Sequence, residues 1–335
     1  MKRNTRPAVL GLLALAVLAL AGAAITSSTT VETRSLGDLT ADWALVTPAP
    51  YTPPQGTEIY WPHADLSNSG EFMVYQREKA HYVWAIQIAR VPGGQVVVDS
   101  LLPSDVLPNP SGPRFSPDGG RIVFCGAQHQ DDPQKTAHVS PWVVNADGTG
   151  LRRLRDDGCD YGSATWQPDG KAVALTRGAP EEIVFLDPDT GEVLSTLKSD
   201  LQRLRFSPDG KWLLGNGLRG LTALEVRTGE ERVVWDPKPL GQPGSGEAWW
   251  TGLYAWASDS RRVFFIAAHR DWELAQGPTA CEIWEGSLDG PAGKIMDGQV
   301  LAGSLNGKHL LIDKRRVPSR DELSPGDVQL LTLKP

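Results

Sequence analysis

Phe115-Ser116-Pro117-Asp118-Gly119, followed by GRIVF at 120–124, decides how the rest of the chain is read. An aromatic ends one strand. Proline presets the first turn position, aspartate suits the second, and glycine accepts positive φ. The result is a type I turn with a glycine bulge, a common hairpin connection. Ile122 and Phe124 then alternate with their neighbours at the period of a strand. The unit returns as Trp166-Gln167-Pro168-Asp169-Gly170 before KAVAL, and as Phe206-Ser207-Pro208-Asp209-Gly210 before KWLLG. A weaker copy, Trp256-Ala257-Ser258-Asp259-Ser260, precedes RRVFF. Degenerate copies stand at each end: Leu66-Ser67-Asn68-Ser69-Gly70 before EFMVY, and Ser304-Leu305-Asn306-Gly307 before KHLLI. The turn positions 70, 119, 170, 210, 260 and 307 are 49, 51, 40, 50 and 47 residues apart, the length of a four-stranded propeller blade.

A second hairpin recurs within each unit. Residues 82–98, 142–154, 183–197, 222–235 and 283–296 each give strand, Gly-containing turn, strand. Two hairpins per unit make four strands. The expected fold is an all-β, six-bladed propeller. Its last unit has only one further strand, Val328–Leu333, so residues 42–46 (DWALV) are expected to supply the missing strand from the N-terminal side. Such sharing leaves few open edges.

The F-S-P-D-G-K/R turn and the N-A-D-G-T-G-L hairpin at 145–151 resemble the WD40-like (PD40) repeats of the TolB-type propeller. The resemblance covers residues 60–335 and implies the propeller fold. TolB proteins also carry an N-terminal α/β domain. Residues 26–60 are too short to hold one, so partner contacts made through that domain do not carry over.

At the N-terminus, Lys2, Arg3 and Arg6 precede an apolar run over 8–25, and Ala21-Gly22-Ala23 matches a small-x-small cleavage site. Residues 1–25 read as a signal peptide or a retained N-terminal membrane anchor. No cysteine follows, so a lipoprotein anchor is not indicated. Residues 26–40 read as a linker, and 41–335 as the propeller. The expected location is extracytoplasmic: periplasmic, cell-surface or secreted.

A net charge of -7, with scattered positive residues, argues against nucleic acid as a partner. Three cysteines without a CxxC pair give no zinc site. Cys125 and Cys159 are read either as a disulfide or as two buried thiols. The chain lacks GxSxG, HExxH and a P-loop. Gly215–Gly220 matches GxGxxG, but a strand pattern follows it where a dinucleotide site needs a helix, so it reads as a hairpin loop. Asp187–Glu192 lacks the spacing of a calcium loop and reads as a turn. No metal and no cofactor is expected.

Function concentrates on loops held by a rigid scaffold. Loops between second and third strands share a face with the segments leading into the innermost strands. The longest second-to-third loops are 126–138 in the second blade and 267–280 in the fifth, which lie opposite in a ring of six. The expected binding face therefore carries His129, Asp131, Asp132, His269, Asp271 and Trp272, joined by Asp160, Tyr161, Trp249 and Trp250. The reading is a monomeric module binding an envelope or secreted protein or peptide, with a membrane tether if 8–25 is retained. The alternative is a channel-site enzyme, such as a metal-dependent lactonase, a lyase or a glycan hydrolase.

Overall fold

The computed structural model describes residues 31–37, 39–45, 64–80, 83–91, 95–102, 109–127, 139–156, 158–160, 163–178, 181–237, 247–251, 253–271, 280–314 and 328–334. These form strands and turns only. Blade 1 comprises β3 (Ala64–Leu66), β4 (Phe72–Ala80), β5 (Val83–Arg90) and β6 (Val96–Val98). Blade 2 comprises β7 (Asn109–Phe115), β8 (Arg121–Ala127), β9 (Val139–Asn145) and β10 (Arg152–Arg153). In blade 3 follow β11 (Thr165–Trp166), β12 (Val173–Gly178), β13 (Glu181–Leu186) and β14 (Val193–Lys198). Blade 4 holds β15 (Gln202–Phe206), β16 (Trp212–Gly217), β17 (Gly220–Glu225) and β18 (Glu231–Trp235). Blade 5 holds β19 (Glu247–Trp250), β20 (Tyr254–Trp256), β21 (Arg262–Asp271), β22 (Ala280–Ser287) and β23 (Gly293–Asp297). Blade 6 runs β24 (Gln299–Gly303), β25 (His309–Asp313), β26 (Val328–Leu333), and is completed by β2 (Leu39–Leu45) and β1 (Val31–Leu36).

The repeated turn does what its residues dictate. Gly70, Gly119, Gly170, Gly210 and Gly307 all take φ between +67° and +73°, and Ser260, in the weaker copy, takes +58°. In each, this residue's N–H donates to the carbonyl three residues earlier, at 2.8–3.1 Å. In two of the strong copies the serine and aspartate add a brace: Ser116 and Ser207 donate to Asp118 and Asp209 at 2.5 and 2.6 Å.

The turns also dock on one another. Asn68 Nδ2 donates to Pro117 O at 2.8 Å, joining blades 1 and 2. The Asp209 N–H donates to Ser260 Oγ at 3.0 Å, joining blades 4 and 5. Asn306 donates twice to Asn68 at 2.8 Å, joining blade 6 back to blade 1. A parallel bridge, Leu66 to Ser304, closes the ring at the innermost strands.

Period-two alternation sends one set of side chains towards the preceding blade and the other towards the following blade. Phe264 and Ile266 on β21 pack with Leu310, Ile312 and Leu331 of blade 6. Val263 and Phe265 pack with Trp212, Leu214 and Trp235 of blade 4. Buried apolar clusters fill the other junctions likewise: blades 1–2 around Phe115 and Phe124, 2–3 around Trp166, 3–4 around Phe206, and 6–1 around Tyr75. The core is thus a ring of apolar seams between blades.

The expected N-terminal strand is present as β2, pairing antiparallel with β26 from Ala41↔Leu333 to Leu45↔Gln329. One boundary is corrected. Residues 31–36, assigned above to a linker, form β1, which pairs with β2 through Val31↔Ala44 to Leu36↔Leu39. Leu36 and Leu39 bury in the seam between blades 5 and 6, which a polar linker reading of 26–40 overlooked. Residues 1–25, expected to be a signal peptide or membrane anchor, lie outside the described residues.

Cys125 on β8 is disulfide-bonded to Cys159, with a Cα–Cα distance of 6.2 Å. The bond staples the crossover between blades 2 and 3 to blade 2. Gly217 and Gly220 of the GxGxxG match lie opposite each other in the β16–β17 hairpin, as the hairpin reading requires. Asp187 also serves a turn: its Oδ1 accepts the Asp189 and Thr190 N–H groups at 2.8 Å.

Candidate binding face and axial site

The predicted face falls into two groups. His129, Asp131, Asp132, Tyr161 and Trp272 lie outside the described residues. Trp249, Trp250, His269 and Asp271 are placed on strands, which corrects their assignment to loops. β21 runs on to Asp271 because β19 pairs with its far end. The register is Glu247↔Asp271, Ala248↔Arg270, Trp249↔His269 and Trp250↔Ala268. β22 continues the ribbon on the other side, with Ala268↔Cys281 and His269↔Ala280. Segments separated by about 20 residues are thus neighbours in one three-stranded ribbon on blade 5.

Asp160 stands at the same end of blade 3. Its N–H donates to Thr176 O at 3.1 Å, and its carboxylate lies beside Gly178, the last residue of β12. Partial burial raises its pKa. A feature missed in sequence sits on blade 4. Leu218, in the β16–β17 turn, is 89% exposed. The Leu218 N–H is held by Asp200 Oδ2 at 2.9 Å.

A charged cluster on the ring axis was also missed. One position in each unit, the residue before the strand-ending aromatic or its counterpart, is occupied in turn by Asp65, Arg114, Thr165, Arg205, Ala255 and Ala302. Asp65 is 2% exposed and Arg114 is 5% exposed. Arg205 Nη1 donates to Asp65 Oδ1 at 2.5 Å. Blades 4 and 1 are opposite, so this ion pair spans the axis. Arg205 Nη2 and Arg114 Nη1 both donate to Ala64 O, at 3.2 and 3.1 Å. Asp65 Oδ2 accepts the Phe115 N–H at 2.9 Å. Tryptophans back the site: Trp166 Nε1 donates to Arg114 O and Trp256 Nε1 to Arg205 O, both at 3.2 Å.

The electrostatics are unbalanced. Burial, then the neighbouring Arg205 charge, push the Arg114 guanidinium down to about 9, while Asp65 opposes the fall and Arg203 adds to it. Burial also raises the Tyr254 hydroxyl well above its ordinary value. Tyr254 donates to Gln202 O at 3.2 Å and also to Arg203 O. The sequence signal was Arg-Phe-Ser-Pro-Asp-Gly, occurring at 114 and at 205, against Asp-Leu-Ser-Asn-Ser-Gly at 65.

Among the described residues, no three His, Cys, Asp or Glu side chains converge to hold a metal ion. A separate groove of about 930 Å³ lies on the circumference, where the β1–β2 turn meets blade 5. Charges along it pair with one another, Arg262 with Asp259 at 2.6 Å and Arg261 with Asp289, while Lys294 turns to Glu282 outside it at 2.6 Å.

No protein-family model matches the chain. A curated relative, the uncharacterized peptidase YuxL of Bacillus subtilis (strain 168), is 27% identical over 126 residues, or 38% of this chain. The match spans only 18% of that protein's length. Among solved structures, a putative TolB from Agrobacterium tumefaciens aligns with a TM-score of 0.51 and 15% identity, covering 81% of this chain and 89% of that one. TolB from Acinetobacter baumannii gives 0.51 and 16%, covering 79% of this chain and 64% of that one. By fold, then, the chain is a TolB-like six-bladed β-propeller.

Proposed function

We propose that this propeller is an extracytoplasmic binding module that holds a protein or peptide partner of the cell envelope at the face carrying the blade 5 ribbon. The observation that carries the reading is the ribbon itself. It brings Trp249 and Trp250 into register with His269 and Ala268, and so unites two of the segments singled out for recognition. Asp160 and the exposed Leu218 stand at the same end of blades 3 and 4. Tryptophans carried on the ribbon, with an exposed leucine on the neighbouring blade, suit a partner that brings apolar side chains. The apolar segment 8–25, whether a cleaved signal or a retained tether, supports the location.

The test compares the full chain with a Trp249→Ala/Trp250→Ala/Trp272→Ala variant in quantitative capture of envelope proteins. Loss of a defined set of partners is the expected result. Equal capture by both proteins, with equal thermal stability, rules out this face.

The alternative, an enzyme acting at the channel, draws support from the relative described as a peptidase, over the matched 126 residues only. Turnover of lactone, pectate or peptide substrates by the purified chain, lost on substituting Arg205, is the outcome that favours it.

A further inference from the structure

Two guanidinium groups, Arg114 and Arg205, meet one carboxylate, Asp65, on the axis. Arg114 and Arg205 share Ala64 O and crowd Asp65. Arg203 stands on the same innermost strand as Arg205, two residues before it. The floor of the site carries an excess of one positive charge, and Arg203 adds another on the same strand. Arg114 is buried, and its Nε has no hydrogen-bond partner among the described residues. A buried guanidinium left partly unbonded is costly, and an anion relieves it by supplying both charge and acceptors.

Arg203 is built to meet such an anion. It is exposed, and it is one of two described non-glycine residues with positive φ, at +56°. It sits in a bulge, where the β15–β16 register jumps from Gln202↔Asn216 to Arg205↔Leu214. Bulges re-aim a side chain, and a non-glycine residue holds this conformation only where its surroundings impose it. Tyr254, whose hydroxyl bonds both Gln202 O and Arg203 O, imposes it here. Arg203 lies towards the end of β15 opposite the repeat turn, which is the end that carries Leu218 and the ribbon. The arginines therefore form a gradient, with Arg203 at the mouth and Arg114 and Arg205 on the floor.

We infer that the axial arginines form an anion site that receives a carboxylate of an acidic peptide segment, with Arg203 making the first contact. This rests on the binding-module reading above and adds the chemistry of its ligand. A peptide is favoured over a free ion because the exposed Leu218 stands at the same end of blade 4 as Arg203 and offers an apolar contact that an inorganic anion does not use.

The test is calorimetric titration of the full chain with hexaglutamate, citrate and inorganic phosphate at fixed low ionic strength. Hexaglutamate is expected to bind, with affinity falling as sodium chloride is added. Arg203→Gln, at an exposed position, is expected to weaken it by about tenfold or more, the scale of a lost charge-assisted hydrogen bond. Arg219→Gln, which removes an exposed arginine paired with Glu231 on the neighbouring turn, is expected to leave it unchanged. No binding of hexaglutamate, or equal binding by Arg203→Gln, overturns the inference. Binding of phosphate or citrate but not hexaglutamate refutes the peptide occupant. If hexaglutamate fails while the tryptophan variant still loses its protein partners, the anion site falls and the binding module stands.

Discussion

Replacing Asp65 with alanine removes the one carboxylate that faces Arg205 across the ring. Asp65 accepts from Arg205 Nη1 at 2.5 Å and from the Phe115 N–H at 2.9 Å. Its loss leaves a buried backbone donor unbonded, which alone costs about 1–3 kcal/mol. It also leaves Arg205, 13% exposed at its side chain, uncompensated beside Arg114. Removing one partner of a buried ion pair costs about 3–5 kcal/mol, and the two costs overlap, so about 3–5 kcal/mol is the expected destabilisation. Arg205→Met is expected to cost less, because Asp65 keeps the Phe115 N–H and gains the field of Arg114. The double variant Asp65→Ala/Arg205→Met removes both charges, and is expected to be less destabilised than the sum of the singles by about 2 kcal/mol. Urea unfolding followed by tryptophan fluorescence measures all four proteins, and unchanged m-values confirm a common denatured state. Additive costs, within about 0.5 kcal/mol, would falsify the picture of a coupled pair spanning the axis.

Reducing the Cys125–Cys159 bond opens a loop with a sequence separation of 34 residues, and chain entropy sets the expected loss at about 4 kcal/mol; denaturation with and without reductant measures it. Gln299 is fully buried, and neither of its amide atoms has a hydrogen-bond partner among the described residues; Gln299→Met is expected to stabilise by about 1–3 kcal/mol, and a lower denaturation midpoint contradicts this. His309 packs against Gly70, with Thr332 Oγ1 3.3 Å from its Nδ1, and burial followed by the Lys308 charge lowers its pKa below the ordinary 6.5. Its contribution to stability is therefore complete above pH 6.5 and is lost as pH falls towards the folded value; His309→Gln is expected to flatten that part of the stability profile, and an unchanged slope refutes the assignment.

The fold was legible because each blade carries its own turn, and the turn is a local event. Proline, aspartate and glycine set backbone angles within five residues, so positions 70, 119, 170, 210, 260 and 307 could be read without knowing what they pack against. β2 was legible for a different reason: a blade with three strands needs a fourth, and DWALV has the right pattern. β1 was not, because Glu32, Thr33, Arg34 and Ser35 run together as an exposed polar stretch at an outer edge, which hides that Leu36 reaches the seam. The ribbon on blade 5 was read as loops because pairing between 247–250 and 268–271 depends on tertiary placement. The axial charges were the hardest to find. Asp65 and Arg205 are 140 residues apart, and only ring geometry makes them neighbours. Aligning the six units on their aromatics puts both residues in one column, so the signal was present in the repeat itself.

β2 pairs with β26, so the last blade is woven from both ends of the described chain. A ribosome that has delivered blades 1 to 5 has yet to make the strand against which β2 must dock. Until residue 333 emerges, β2 has no partner on that edge. Full cooperativity is therefore withheld until β26 has been made, and the ring locks only when its last described strand clasps its first pair.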